Sequence, residues 1–177
     1  MIDPDRYVAA LRFAAERHHA QRVPDSDYPY LVHVVSVAAE TIAGVALTPG
    51  VDADLAVGCA LLHDTIEDTA TTHAELADRF GLAVAAGVLA LSKDAALAKQ
   101  DQMADSLRRI QAQPAAIWMV KLADRITNLG PPPRSWPADK RRRYRDEAIV
   151  IADALGAASA VLDARIRARI AIYAEYL

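Results

Sequence analysis

No stretch of the chain alternates apolar and polar residues with period two over a useful length. Apolar residues return every three or four positions instead, in segments separated by Pro, Gly and short polar runs. That spacing predicts an all-α fold, a helical bundle without a sheet. The hydrophobic fraction of 53% with only 6% aromatic residues makes Ala, Leu, Ile and Val the core formers. Frequent Ala with only 7 Gly points to helices packed closely together. The 177 residues suffice for one domain, expected to span residues 1–177, with its own core.

Asp3-Pro4 predicts a helix start, a capping carboxylate before proline at the first helical position, with helical spacing continuing to about Ala20. Arg22 to Pro29 reads as a loop, and a second helix is expected from about Tyr30 to Ile42, with Gly44 past its end. A third helix is expected from near Asp52 through His63 to about Ile66. Thr72-x-x-Glu75 matches a capping box for a short helix that stops before Gly81, and Leu82 to Leu91 forms another. Ser92 to Gln100 reads as a loop, followed by an amphipathic helix over Gln102 to Gln113. A helix beginning at Pro114 is stopped by Gly130 and three prolines. Pro137 opens a helix running to Gly156, and a last one covers about Ala157 to Tyr176.

Several function classes drop out. A net charge of −3 offers no global field for nucleic acid or an anionic membrane. The basic run Lys140 to Arg145 is followed at once by Asp146 and Glu147, and reads first as a solvated helix face. The single cysteine, Cys59, lies in an apolar run and reads as a buried core residue in a reducing compartment. No charge-free run of about 18 apolar residues occurs, and the N-terminus lacks a signal-peptide pattern. A cytoplasmic protein is expected; its oligomeric state is not legible.

Against this background Leu61-Leu62-His63-Asp64-Thr65-Ile66-Glu67-Asp68 stands out. Either a buried helix ends in an acidic, solvated turn, or it delivers ligands and an acid/base pair into a cleft. Glu67 follows His63, and Asp68 follows Asp64, at i+4, so each pair shares a helix face. Four adjacent ionisable groups would be costly to bury without partners. Asp124 and Asn128 repeat the i, i+4 relation on a mostly apolar helix, where Asp124 could equally pair with Lys121 or Arg125. His33 follows a loop in Tyr28-Pro29-Tyr30-Leu31-Val32-His33, and alone would read as a packing histidine.

Together, "PYLVH", "ALLHDTIEDT" and "VKLADRITNL" resemble the HD-domain metal-dependent phosphohydrolases. More narrowly, they resemble the hydrolase domain of the RelA/SpoT alarmone family and its small stand-alone metazoan members. The resemblance runs from about Tyr7 to Tyr176. It implies His33, His63, Asp64 and Asp124 as metal ligands, with one ion, manganese, expected. It also implies that Glu67 and Asp68 orient and activate the attacking water or serve the leaving group, and that Asn128 contacts the nucleotide's sugar. The implied reaction cuts guanosine tetra- or pentaphosphate to GDP or GTP plus pyrophosphate, so the partner is a small phosphorylated nucleotide.

The chain departs from that pattern at the substrate end. Val23-Pro24 follow Gln21-Arg22 where the family carries a basic pair, displacing Arg22 by one position. Val34 replaces the proline after the metal histidine, and Tyr144 falls near a substrate-facing tyrosine of the small members. Arg22, Asn128 and Tyr144 are therefore the candidate substrate contacts. Two other readings follow: the same chemistry on another nucleotide, such as the 2′-phosphate of NADPH or a nucleoside monophosphate, or a non-catalytic nucleotide-binding protein of the same fold.

Overall fold

The computed structural model describes residues 1–177 and is all-α, its only extended pairing being an isolated bridge between Arg22 and Pro29. The helices are α1 (Pro4–Arg17), α2 (Leu31–Ala46), α3 (Ala53–Leu62), α4 (Thr65–Asp68) and α5 (His73–Phe80). They are followed by α6 (Leu82–Leu91), α7 (Lys99–Gln111), α8 (Ala115–Asn128), α9 (Ala138–Leu155) and α10 (Ala160–Tyr173). Short 3-10 turns cover Gly156–Ala158 and Ala174–Tyr176. No helix is long and apolar enough to cross a membrane.

Local chemistry sets several of the starts. The Asp3, Asp52 and Thr72 side chains each accept backbone N–H groups in the first turns of α1, α3 and α5. The Asp3 N–H also donates to Asp54 Oδ1 at 2.6 Å, fixing the start of α1 beside α3. At the centre, α2, α3 and α8 pack on one another, with Val37, Leu61, Leu62, Val120 and Ala123 fully enclosed. Cys59 lies in the same core, and Arg142 and Arg145 of the basic run pair with Asp139 and Asp146 on an exposed face.

Several boundaries differ from expectation. Helix α1 stops at Arg17, short of Ala20, and α7 starts at Lys99 and ends at Gln111. The last helix begins only at Ala160, after a 3-10 turn. Gly44 lies inside α2, which runs on to Ala46; a Cβ there would sit 2.8 Å from Leu162 Cγ, so the glycine admits α10. The third helix does not reach Ile66. It ends at Leu62, because His63 Nδ1 takes the Ala60 carbonyl at 2.8 Å and Thr65 Oγ1 takes that of Leu62 at 2.7 Å. Those side chains occupy carbonyls that amides of the next turn would otherwise use.

Candidate metal centre and acid/base cleft

The break after α3 swings two side chains out of helical register. His63 caps α3 and Asp64 precedes α4, and both face the first turn of α2, where His33 sits, and the last turns of α8, which carry Asp124. The His33 and His63 Nε2 atoms stand 3.3 Å apart. Asp64 Oδ2 lies 2.9 Å from His63 Nε2 and 3.6 Å from His33 Nε2. Asp124 Oδ1 lies 3.7 and 3.9 Å from the same two nitrogens. Potential ligand atoms of His33, His63 and Asp64 all fall within 4.8 Å of one another.

A divalent cation fits this donor set. Because His63 Nδ1–H donates to the Ala60 carbonyl, its Nε2 lone pair points at the cluster. Burial opposes charge on that imidazole, yet the Asp64 and Asp124 carboxylates pull it up to about 9, so the cluster demands a positive charge at its centre. Burial likewise works against Asp64, but the two imidazoles and the Tyr30 hydroxyl hold it well below the usual carboxylate range. Asp124 is also held low against its burial, chiefly by the Lys121 ammonium 3.1 Å from Oδ2. Two imidazoles and two carboxylates suit a borderline or hard divalent ion.

Beside the cluster a cleft of about 220 Å3 is lined by Glu67, Asp68, Lys93, Asn128, Tyr144 and Glu147, among others. Glu67 Oε2 accepts the Lys93 N–H at 2.9 Å, and Oε1 accepts from Lys93 Nζ at 3.0 Å. Asp68 accepts from Gln21 Nε2 at 2.8 Å, but burial and the neighbouring Asp64 and Glu67 charges raise its pKa. Asn128 Nδ2 donates to Asp124 Oδ1 at 2.6 Å, so this side chain orients an expected ligand. Arg125 stacks on Tyr144, 4.2 Å from the ring centroid, and burial pushes the phenol up to about 12.

Asn128 and Tyr144 also line a second cavity of about 790 Å3, walled by Val23, Pro24, Asp25 and the Pro131–Trp136 loop. Arg22 lines neither space; its guanidinium donates to the Asp27 carbonyl at 3.1 Å. Eight of the nine candidate residues thus gather at one place, and Arg22 lies apart from them.

Sequence reasoning passed over Tyr30, whose hydroxyl donates to Asp64 Oδ2 at 2.6 Å, and Gln21, which bridges His18 Nδ1 to Asp68. Tyr30 precedes His33 by one helical turn, a spacing that could have revealed it. Nothing local to Lys93 marks it as a partner for Glu67, 26 positions away.

The family model described as the HD domain matches residues 10–160. The guanosine-3′,5′-bis(diphosphate) 3′-pyrophosphohydrolase MESH1 of Danio rerio is 31% identical over 163 residues, covering 89% of this chain and 88% of that protein. A guanosine-3′,5′-bis(diphosphate) 3′-pyrophosphohydrolase of Aquifex aeolicus is 33% identical over 68% of this chain, which is 17% of the larger protein's length. A solved metazoan orthologue of SpoT, described as hydrolysing ppGpp with a role in starvation responses, superposes with a TM-score of 0.83 at 25% identity, covering 96% of both chains.

Proposed function

The chain belongs to the HD-domain family, and on that premise we propose that it is a phosphohydrolase that converts guanosine-3′,5′-bis(diphosphate) to GDP and pyrophosphate. The observation that carries the reading is the convergence of His33, His63, Asp64 and Asp124 beside Glu67 and Asp68. The four donors would hold one divalent cation, manganese by family resemblance. Bound there, such an ion supplies Lewis acidity and offsets charge on phosphate oxygens. The relatives favour guanosine over the NADPH and nucleoside monophosphate readings, and a catalytic protein over a merely binding one.

The chain's own residues supply the proton movements. A water oxygen bonds to the phosphorus attached to the ribose 3′ oxygen, and the bond from phosphorus to that oxygen breaks. Glu67 takes the water's proton, and Asp68, whose burial and like-charged neighbours favour its protonated form, donates one to the departing ribose oxygen. Glu67 then returns a proton to Asp68 through solvent, which restores both groups. Asn128 fixes Asp124 and, like Tyr144, lines both the cleft and the larger cavity, which would accommodate the nucleoside. Arg22 would have to release the Asp27 carbonyl to reach a nucleotide there.

The test is to incubate purified protein with ppGpp and manganese, with and without chelator, and to quantify pyrophosphate. Release should need the metal and be lost in Asp64→Ala together with metal binding. Metal-loaded protein that leaves ppGpp intact would refute the proposal.

A further inference from the structure

The acid/base cleft presents a problem for a polyanionic substrate. Asp64, Glu67, Asp68, Asp124 and Glu147 give it five carboxylates against three basic side chains, Lys93, Lys121 and Arg125. A divalent cation would bring the lining only to neutrality, or to a single positive charge when Asp68 holds its proton. A diphosphate group therefore needs a cation that can be turned toward it.

Two of the three basic side chains are committed. Lys121 is nearly enclosed and holds Asp124, and Arg125 is nearly enclosed, faces Glu147 and stacks on Tyr144. Lys93 differs: its side chain is 43% exposed and its only carboxylate partner is Glu67, a member of the acid/base pair. Its backbone, by contrast, is fixed. Arg109, paired with Asp105, donates to the carbonyls of Leu89, Ala90 and Ser92, clamping the chain next to Lys93. Glu67 is thus held by two donors of unequal mobility: a rigid N–H on Oε2 and an ammonium on a flexible stem on Oε1. An ion pair this exposed contributes little to stability, so exchanging its partner costs little.

We propose that Lys93 is the side chain that receives the diphosphate, its ammonium passing from Glu67 Oε1 to the phosphoryl oxygens and leaving that carboxylate oxygen free for the water's proton. The proposal deepens the phosphohydrolase reading and rests on it for the role of Glu67. The backbone N–H keeps Glu67 in place throughout, so substrate arrival itself unmasks the base. Proton and bond changes are those given above: water oxygen to phosphorus, water proton to Glu67, the Asp68 proton to the ribose oxygen. The ammonium keeps its protons and supplies charge-assisted hydrogen bonds.

Titration of manganese-loaded protein with inorganic pyrophosphate tests this directly. Lys93→Met should weaken binding about tenfold or more, whereas Lys93→Arg should retain most of it. Glu67→Gln, which releases the ammonium, should bind pyrophosphate more tightly than wild type, and adding Lys93→Met should abolish that gain. Affinity within about twofold of wild type in Lys93→Met, the value expected of a mere surface ion pair, would overturn the proposal. A wild-type protein that does not bind pyrophosphate would do the same. If pyrophosphate binding depends on Lys93 yet ppGpp is not hydrolysed, the anion site stands and the proposed substrate falls.

Discussion

Asp64 and Asp68 lie one helical turn apart, and their surroundings push them in opposite directions. Asp64 faces two imidazoles and a phenol that favour its charge, whereas Asp68 faces burial and two like charges that oppose it. Only Gln21 and the more distant His18 favour ionised Asp68. The sign of the pH dependence follows. An acid must hold its proton, so the Asp68 contribution to turnover is present below its raised pKa and is lost as pH rises through it. Gln21→Leu removes a hydrogen bond to the ionised form and should move that basic limb of the kcat profile to higher pH. Asp68→Asn should eliminate the limb and lower kcat; an unmoved limb in Gln21→Leu would assign it to another group. The i, i+4 spacing placed both carboxylates on one wall, but the opposite directions of their shifts depend on groups such as Tyr30, Gln21 and His33, which arrive from elsewhere in the chain.

At the scale of elements, the starts of helices were more legible than their ends. Asp3, Asp52 and Thr72 cap through bonds to amides two or three residues on, which sequence spacing reveals. The end of α3 was not legible, because His63 and Thr65 capture carbonyls three residues back through side-chain rotamers that periodicity does not encode. Nor was the passage of α2 through Gly44, which reads as a stop until Leu162 of α10 is seen against it. The cap of α3 lies at the far end of that helix from the metal centre, which separates stability from function. Asp52→Ala should lower stability by about 1 kcal/mol and Tm by about 2–4 °C. Metal affinity, followed by calorimetry, should stay at the wild-type value; a loss of affinity would mean that the cap also positions His63.

Across the whole molecule, the proposed ligands come from α2, the break between α3 and α4, and α8, so an ion bound there would tie the central helices together. Manganese at about a hundredfold over its Kd should stabilise the fold by about 2.7 kcal/mol, raising Tm by roughly 5–10 °C. Chelator should reverse the shift and Asp64→Ala should prevent it, both checked by thermal melts; an equal shift in that variant would place the ion elsewhere. The sequence by itself determined the helical class and the residue types of the centre, because helical periodicity and the grouping of His63, Asp64, Glu67 and Asp68 are local properties. The tertiary structure alone decided which of these groups meet. It brought His33 and Asp124 to His63, set Lys93 on Glu67, and left Arg22 on the Asp27 carbonyl. Apart from the local Arg22 bond, those pairings span long separations in the chain, and such distances are closed only by packing helices around a shared core.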